Sequence, residues 1–376
     1  MKKSGAVLAL LLLVLLTGCT PRQTEPAGLQ RLQKEGSMKL LYADQFSVEY
    51  YEGGYKLLTV AGEDRFLVVP AAKTAPEGLD SDIAVLQQPI EDLYLAATAS
   101  MCLFDALDGM ESIRFSGTRA QDWYIENART AMEEGSIVFA GKYSEPDYEM
   151  LLAGGCPAAI ESTMINHASD VAEKLTELGI AVIIDHSGYE SHPLGRTEWI
   201  RFYGALLDKE EQADALFQEQ VRLMEQVMEE EPTGRTVAFF TITSAGKVVA
   251  RKSSDYISRM IAIAGGEYIF SDLGDPASAT GTQTIEMETF FKTARDADYI
   301  IYNSTLTGGV ASLAQLLEKA PLLKDLKAVK EGNVWCTEQN MFQESTCLGE
   351  MIRSFRMIFS GQADHMTELS YLYRLQ

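Results

Sequence analysis

Basic residues are scarce in this chain of 376 residues. Lysine and arginine together number 32 against 54 aspartates and glutamates, which gives a formal net charge of −22. A protein that binds nucleic acid uses lysine and arginine to neutralise phosphates. The charge balance therefore argues against a nucleic-acid partner, and it suits docking onto a basic patch of another protein.

Histidine and cysteine are also few. Four histidines leave little material for a metal centre, and His186 and His192 beside Asp185 are the nearest approach to one. The cysteines show no C-x-x-C spacing, so a zinc or redox motif is not indicated. We predict no metal site and no cofactor. An exported setting would permit one disulfide, but we expect free buried thiols at Cys102, Cys156, Cys336 and Cys347.

Catalytic signatures are missing as well. The sequence contains no G-x-S-x-G elbow, no H-E-x-x-H pair and no Walker loop. We therefore predict no catalytic residue and no enzymatic activity. The alternatives are an exported, lipid-anchored α/β hydrolase and a surface adhesin, and ligand-dependent stabilisation would separate a cleft protein from an adhesin.

One long apolar run is present, and it begins the chain. Met1-Lys2-Lys3 precedes an uncharged stretch of about 17 residues from Ser4 to Thr20, near the lower limit for spanning a bilayer. A basic start, an apolar run and small residues before a cleavage point form a secretory signal. Leu16-Thr17-Gly18-Cys19 resembles the lipobox of bacterial lipoproteins, which implies lipid attachment at Cys19. A single membrane-spanning helix is the alternative.

The region after the signal predicts a tether. Pro21 to Ser37 contains two prolines, two glycines and mixed charge without periodicity. The sequence thus predicts a signal peptide over residues 1–18 and a tether over residues 19–37. Cleavage also removes Lys2 and Lys3, which makes the mature chain two charges more negative.

In the remaining sequence the pattern of apolar residues changes near Asp82. Alternating residues before it predict a small antiparallel meander over residues 40–69. After it, short apolar runs alternate with helical periods, which is typical of βαβ units and mostly parallel sheets. The first half is expected to hold strands at Ile83–Leu86, Ile113–Phe115, Ala158–Ile160 and Ala181–Ile184, and helices at Glu91–Leu107, Ala120–Met132, Asp147–Ala153 and Ala168–Leu178.

The second half repeats this alternation after a helical middle. Helices are predicted at Thr197–Leu207 and from Asp208 to about Met228, where the second could span about 30 Å. Beyond them the sequence predicts strands at Thr236–Ile242, Tyr299–Tyr302 and Asn333–Cys336, and helices at Asp255–Ala264, Glu286–Ala294, Ser312–Lys319, Leu348–Phe359 and Ala363–Leu372.

The predicted fold class is therefore α/β. It comprises two Rossmann-like lobes with mostly parallel sheets joined by one long helix, plus the small N-terminal β meander. The expected boundaries are residues 38–194 for the first lobe, 195–231 for the linking helical segment and 232–376 for the second lobe.

Several stretches, taken in order, resemble the iron-complex/cobalamin class of substrate-binding proteins of bacterial ABC importers. The resemblance covers roughly residues 80 to 360 and adds the fold and function of that family as expectations. It is carried by Tyr143–Glu149 with Pro157–Glu161, Ser191–Ile200, Ala264–Glu267, and Glu286–Glu288 with Asp296–Ile301.

The resemblance implies a location and partners. It implies a monomer held by lipid on the outer face of the cell membrane, which delivers its ligand to an ABC permease and its ATPase. In that family one glutamate on each lobe contacts basic residues of the permease, and Glu149 and Glu288 are the matching positions. A carboxylate on a rigid helix forms strong charge-assisted hydrogen bonds with arginine.

A ligand is expected between the lobes. Ligands of open α/β sheets bind beyond the carboxyl ends of the strands, and two lobes bring those ends to one shared cleft. The residues predicted to line it follow strands in the sequence, and they are Gln87, Gln88, Ser162, Thr163, Met164, His186, Tyr189, Arg251, Tyr256, Asn303, Ser304 and Gln339.

The ligand itself stays open at this point. A ferric siderophore favours arginines, for which Arg114, Arg119 and Arg251 are the candidates. Haem favours a tyrosine or histidine ligand. A corrinoid favours aromatic walls, for which Trp123 and Tyr256 are available.

Overall fold

The computed structural model describes residues 28–274, 281–305 and 308–376. Its β-structure forms three main sheets and one two-stranded hairpin. In chain order the strands are β1 (Lys34–Ser37), β2 (Phe46–Tyr51), β3 (Tyr55–Val60), β4 (Asp64–Val69), β5 (Ile83–Gln87), β6 (Leu93–Leu95), β7 (Ile113–Ser116), β8 (Val138–Phe139), β9 (Gly141–Lys142), β10 (Glu145–Pro146), β11 (Ala158–Ser162), β12 (Ala181–Asp185), β13 (Arg235–Ile242), β14 (Val248–Arg251), β15 (Gly266–Tyr268), β16 (Thr282–Ile285), β17 (Tyr299–Tyr302), β18 (Val334–Thr337), β19 (Glu368–Leu369) and β20 (Leu372–Arg374).

Helices cover the sheets and link the two halves. In chain order the described α-helices are α1 (Met101–Ala106), α2 (Glu126–Glu133), α3 (Tyr148–Ala153), α4 (Ser169–Glu177), α5 (Pro193–Leu207), α6 (Glu210–Met228), α7 (Tyr256–Ile263), α8 (Met287–Ala294), α9 (Leu313–Lys319), α10 (Lys327–Lys330) and α11 (Leu348–Phe359). Short 3₁₀ turns lie between many of these elements.

The N-terminal sheet has the order β1-β2-β3-β4-β5. Its antiparallel core, β2 to β4, confirms the predicted meander. β5 pairs with β4 in parallel, so the prediction that Ile83–Leu86 is the first strand of the first lobe's parallel sheet is wrong. A four-residue apolar run is compatible with either sheet, and only long-range pairing decides.

Part of the predicted tether belongs to this sheet. Residues 34–37 form β1, which pairs with β2, and Leu29 and Leu32 pack against the core around Tyr55. Gly28 has φ +57°, and a Cβ there would lie 2.6 Å from the carbonyl oxygen of Gly78. The tether prediction is therefore wrong for residues 28–37, while the signal peptide, Cys19 and the rest of the tether lie outside the described residues.

The first-lobe sheet is fully parallel, with the order β12-β11-β6-β7-β8. Helices lie against it, so its central residues, such as Ile160 and Ala159, are buried on both faces. Its middle strand β6, Leu93–Leu95, was expected to be helical, and that prediction is wrong. Three apolar residues carry too little periodicity to reveal a strand when a helix follows at Met101.

The second-lobe sheet is mixed, with the order β16-β14-β13-β17-β18-β20-β19, and β15 also pairs with β13. β13, β15, β17 and β18 run in parallel. The predicted helix at Ala363–Leu372 is wrong, because this segment leads into the β19–β20 hairpin. Pairing of Arg374 with Trp335 covers the edge of β18, and this tertiary gain outweighs a weak local helical pattern.

Two packed helices, α5 and α6, form the link between the lobes. α5 is buried around most of its circumference, since apolar residues occur on all its faces and Glu198 is buried among them. Asp208 caps its C-terminal end with φ 63°, which allows α6 to fold back along it. α6 also packs on α11, where a Cβ on Gly349 would overlap with the carbonyl oxygen of Gln220.

Candidate binding cleft

The two lobes meet at a set of hydrogen bonds beyond the carboxyl end of β18. The Gln343 amide accepts from the backbone N–H of Tyr124 at 2.9 Å and donates to the Asp122 carbonyl at 2.9 Å. The Tyr124 hydroxyl donates to Gln339 Oε1 at 2.5 Å. One amide side chain of the second lobe is thus held by two backbone groups of the first lobe.

A second group of contacts follows directly in the chain. The backbone N–H of Ser345 donates to Cys102 Sγ on α1 at 3.2 Å, and the Ser345 carbonyl accepts from Thr197 Oγ1 on α5 at 2.8 Å. We call residues 339–347 the corner segment. It joins the second lobe to α1, α5 and the loop before α2.

Aromatic and guanidinium groups form a further contact between the linking helices and the second lobe. The guanidinium of Arg196 on α5 lies 3.7 Å from the ring centroid of Tyr256 on α7. Arg196 also donates to the Gly188 carbonyl at 2.7 Å, while its Nε is buried without a hydrogen-bond partner. Burial raises the pKa of Tyr256 to about 12, so its phenol stays neutral.

Arg251 lies in the same region. Its side chain is only 12% exposed and pairs with Asp255 at 3.4 Å. Its guanidinium lies 5.1 Å from the ring of Phe342, which belongs to the corner segment. The structure thus brings the predicted cleft residues Arg251 and Tyr256 together, with Arg196 as an additional cation.

Three predicted residues of the first lobe follow β11, where Ser162 ends the strand and Thr163 begins a 3₁₀ turn. The Ser162 hydroxyl accepts from the backbone N–H of Met164 at 3.4 Å. The Met164 side chain is 48% exposed. These residues lie at the carboxyl end of the parallel sheet as the sequence predicts.

His186 and Tyr189 follow β12 at the same edge of the sheet. Their rings meet edge to face, with centroids 5.3 Å apart. Burial lowers the pKa of His186, although Asp185 and Asp64 act in the opposite direction. Because Asp64 begins β4 of the N-terminal sheet, His186 lies close to that sheet, while Tyr189 is exposed.

Two predicted cleft residues of the second lobe are buried instead. Asn303 and Ser304 are 2% and 1% exposed. Asn303 Oδ1 accepts from Thr305 Oγ1 at 2.7 Å, and the Ser304 backbone N–H donates to Thr337 Oγ1 at 3.0 Å. The prediction that they line the cleft is wrong in this structure, because they join the ends of β17 and β18.

Gln87 and Gln88 lie away from the first-lobe sheet. Gln87 Nε2 donates to the Pro70 carbonyl at 2.9 Å, and Gln88 Nε2 donates to the Leu206 carbonyl at 3.4 Å. Their placement in the cleft rested on β5 belonging to that sheet, and it is wrong for the same reason. Gln339 does reach the contact between the lobes, through Tyr124.

Sequence reasoning missed Tyr124, Arg196 and Gln343. Arg196 lies in the stretch Ser191–Ile200, but the sequence does not show that its side chain reaches the second lobe. Arg114 and Arg119, the two other arginines proposed for an anionic ligand, have contacts within the first lobe. Arg114 donates to the Ser136 carbonyl at 2.6 Å. Arg119 is exposed, with its guanidinium 4.2 Å from the ring centroid of Phe139.

An open cavity of about 670 Å³ begins beside the corner segment. Gln339, Glu338, Tyr373 and Arg374 contribute to its lining, so it extends from the lobe contact along the β19–β20 hairpin. Its volume falls within the range for small-molecule sites. It lies on the second lobe rather than between the two strand edges.

Side chains that could bind a metal ion are not clustered in the part of the chain that the structure describes. There, no group of three or more histidine, cysteine, aspartate or glutamate side chains could hold a metal ion. Cys102, Cys156, Cys336 and Cys347 are free thiols, three of them buried. Burial raises the pKa of Cys102 to about 12, which makes it an unreactive thiol.

The two predicted docking glutamates lie on different lobes, each in the first turn of a helix. Glu149 lies in the first turn of α3, where Asp147 caps the helix by accepting from the Met150 N–H at 2.9 Å. Glu288 lies in the first turn of α8. Both are exposed. Neighbouring Glu286 is engaged with Lys247 at 2.6 Å.

One acidic group is buried without a partner. Glu161 on β11 is 0% exposed, and neither carboxyl oxygen has a hydrogen-bond partner. Burial raises its pKa to about 8, so the group is largely neutral at pH 7. Glu161 lies close enough to Tyr94 and to Tyr148, the first residue of α3, that a negative charge on it would raise the pKa of both tyrosines.

Comparison with known proteins gives a consistent result. Residues 120–340 match the family model described as periplasmic binding protein. An uncharacterized lipoprotein of Methanocaldococcus jannaschii is 26% identical over 324 residues, which cover 82% of this chain and 76% of the relative.

Two solved structures share the fold. The periplasmic haem-binding protein HutB of Vibrio cholerae aligns with a TM-score of 0.57 at 16% identity, over 70% of this chain and 98% of its own. The petrobactin-binding protein YclQ of Bacillus subtilis aligns with a TM-score of 0.55 at 16% identity, over 72% and 92%. At this identity the likeness establishes the two-lobed architecture alone.

Proposed function

Because the chain belongs to the periplasmic binding protein family, we propose that it is the substrate-binding lipoprotein of an ABC importer. It captures an iron complex, such as a ferric siderophore or haem, or a related chelate such as a corrinoid. It then delivers this ligand to the permease and its ATPase. The observation that carries the proposal is the meeting of two α/β sheets at a contact built from Arg196, Tyr256, Tyr124 and Gln339.

The proposed arrangement follows the predicted boundaries. Residues 38–194 and 232–376 act as lobes, and residues 195–231 act as the link. The N-terminal sheet extends the first lobe and is fixed to the link, since Lys56 of β3 pairs with Asp208 at 2.7 Å. The protein functions as a monomer, because each step of capture needs one cleft.

Lipid at Cys19 is the proposed means of attachment. The signal-like start of the sequence supports it, and the M. jannaschii relative is named a lipoprotein. Within the described ranges no helix has the length and apolar character to cross a membrane. A lipid on Cys19 would hold the receptor near its permease at high effective concentration.

The permease contacts are proposed to involve Glu149 and Glu288. Both carboxylates are exposed, and each is held by the first turn of a helix that packs on a different lobe. The pairing of Glu286 with Lys247 supports Glu288 rather than Glu286 as the group offered to a basic partner. One carboxylate on each lobe fixes the orientation of docking.

The ligand class is supported by charge and by the relatives. Arg196 and Arg251 place two guanidinium groups at the lobe contact, and guanidinium forks match carboxylate-like oxygen pairs. The names of the structural neighbours mention haem and petrobactin. An anionic chelate with flat or aromatic parts fits Tyr256 and Phe342 beside these cations.

Thermal-shift screening of the purified protein tests the proposal. Ferric siderophores, haem, corrinoids and free metal ions are compared at equal concentrations. A ligand at 100 times its Kd stabilises the folded state by about 2.7 kcal/mol, which gives a clear rise in melting temperature. Stabilisation by one chelate class supports the proposal, and stabilisation by none of them contradicts it.

A further inference from the structure

The corner segment contains an acidic residue that faces the first lobe. Gln343 and Ser345 on either side of Glu344 both bind first-lobe groups. Glu344 therefore lies at the contact between the lobes, where it is half-buried. Burial, and next the nearby Asp105, raise the pKa of Glu344 to about 7.

Asp105 is placed opposite Glu344 by helix geometry. It follows Cys102 by three residues on α1, so the two side chains share one face of the helix. Cys102 accepts from the Ser345 N–H at 3.2 Å, which sets that face against the corner segment. Asn127 on α2 donates to Asp105 Oδ1 at 2.8 Å and fixes the carboxylate there.

Among the described residues, the groups that interact electrostatically with Glu344 include no cation. These groups are Asp105 and Cys102 of α1, Cys347 of the corner segment and Tyr371 of the turn between β19 and β20. Glu350 of α11 acts on the same Cys347 and Tyr371. None of these groups is a cation, and Asp105 is a carboxylate, so an ionised Glu344 is repelled by Asp105 without compensation from the others.

We propose that Glu344 makes the closure of the two lobes depend on protons: the corner segment grips the first lobe when Glu344 is neutral and loosens when it ionises against Asp105. This goes beyond the proposed transport function, because it concerns the ligand-free chain and needs no particular ligand. When the lobes separate, water reaches the carboxyl and its pKa returns towards the ordinary value.

The direction of the effect follows from the two states. The closed form has the higher pKa, so it is favoured at low pH and loses its advantage as pH rises through about 7. Each unit of pKa difference between the states changes their ratio about tenfold. The closed-to-open ratio is therefore expected to fall at least tenfold between pH 5.5 and 8.5.

Hydrogen exchange on the full chain measures this ratio. The backbone N–H groups of Tyr124 and Ser345 are bonded only across the lobe contact, so their protection factors, corrected for intrinsic rates, report closure. We expect a tenfold or greater loss of protection from pH 5.5 to 8.5, while Ile300 in β17 keeps its protection.

Three variants separate this effect from a general loss of stability. Glu344→Gln is expected to hold the protection factors constant across the same pH range. Glu338→Gln is the matched control, because this glutamate lies just before the corner segment but interacts with Glu368 of its own lobe; it should keep the full pH response. Asp105→Asn should weaken the response even if Glu344→Gln folds poorly.

The proposal is overturned if the wild-type protein shows equal protection at both pH values. It is also overturned if Glu344→Gln keeps the whole pH response. Because neither result involves a transported ligand, the outcome is independent of the thermal-shift screen.

Discussion

The imidazole of His192 stacks on the phenol ring of Tyr42, with centroids 4.4 Å apart and an interplanar angle of 17°. This contact joins the loop before β2 to the residue that caps α5. The same loop is held by Glu198, whose carboxylate accepts backbone N–H groups from Leu41, Tyr42 and Ala43. The N-terminal sheet is thus clamped to the linking helices rather than loosely added to the lobe.

Removal of the Glu198 carboxylate is expected to destabilise the protein. Glu198 is 0% exposed and also pairs with Arg201 at 3.0 Å. Glu198→Ala leaves several buried donors without a partner, and we expect a loss of about 3 kcal/mol in the free energy of unfolding. Urea denaturation measures it.

Glu211→Ala serves as the control for this substitution, since Glu211 is an exposed glutamate of α6. Its effect should stay within about 0.5 kcal/mol. Equal effects of the two substitutions would contradict the clamp.

Glu161 should make stability depend on pH. Its pKa of about 8 in the folded protein lies above the ordinary value of 4.5. Its stabilising contribution is therefore fully present below the ordinary pKa and is lost as pH rises through about 8. One such group changes the free energy of unfolding by at most about 1.4 kcal/mol per pH unit.

The measurement is urea denaturation at a series of pH values from 4.5 to 8.5. Glu161→Gln should flatten the decline that the wild-type protein shows. Glu173→Gln on α4 changes an exposed carboxylate and should leave the decline intact. An identical pH profile for wild type and Glu161→Gln would rule out a neutral, buried Glu161.

Charge reversal at the docking positions should separate binding from transport. In the double variant Glu149→Arg and Glu288→Arg, ligand-induced thermal shifts are expected to persist because both residues lie on outer helix turns. Uptake by cells should fall to background, since two basic permease sites now face like charge. Glu286→Gln is the matched control, and retained uptake in the double variant would reject the docking assignment.

Arg251 is expected to contribute to chelate affinity. Arg251→Ala removes a guanidinium that is mostly buried beside Phe342, and we expect a 10–100-fold weaker Kd for the stabilising chelate. Arg114→Ala is the control. Arg114 lies near the N-terminal end of β7, away from the carboxyl ends of the strands, and donates to the Ser136 carbonyl. Titration calorimetry gives both constants, and equal affinities for the two variants would count against a cleft at Arg251.

The helical link should limit motion on ligand binding. α5 and α6 pack along each other, and Lys56 fixes their connection through Asp208 and Glu210. A helix pair resists bending more than paired loops do, so closure should be modest. Scattering profiles of the free and bound protein are expected to differ little, and a large domain rotation would be incompatible with this view.

Most of the fold can be predicted from the sequence, because hydrophobic periodicity identifies long helices and alternating strands. The helix at Leu348–Phe359 is predicted at its observed limits, and the meander predicted over residues 40–69 is observed from Phe46 to Val69. Leu93–Leu95 and the β19–β20 hairpin were missed. Their strand character comes from neighbours distant in the chain, which local periodicity does not register.

The site was less predictable for a related reason. Position after a strand selected Gln339, which contacts Tyr124 of the first lobe, and Met164, which is exposed after β11. The same rule also selected Asn303 and Ser304, which are buried. Those two side chains turn inward to satisfy backbone and hydroxyl groups at a strand end, and only the tertiary structure reveals this direction. Arg196 was not selected because it does not follow a strand. Its contact with Tyr256 of the second lobe depends on the position of α5, which the sequence does not reveal.

The close packing of Gly28 against the carbonyl oxygen of Gly78 limits how far the folded protein could lie from a lipid on Cys19. Eight residues separate Cys19 from Gly28, and such a segment spans at most about 30 Å when fully extended. A lipid on Cys19 would then confine the protein to a layer about one small domain thick above the bilayer. With that lipid attachment, its meeting with a permease would become nearly a two-dimensional search, and the N-terminal sheet would stay on the membrane side.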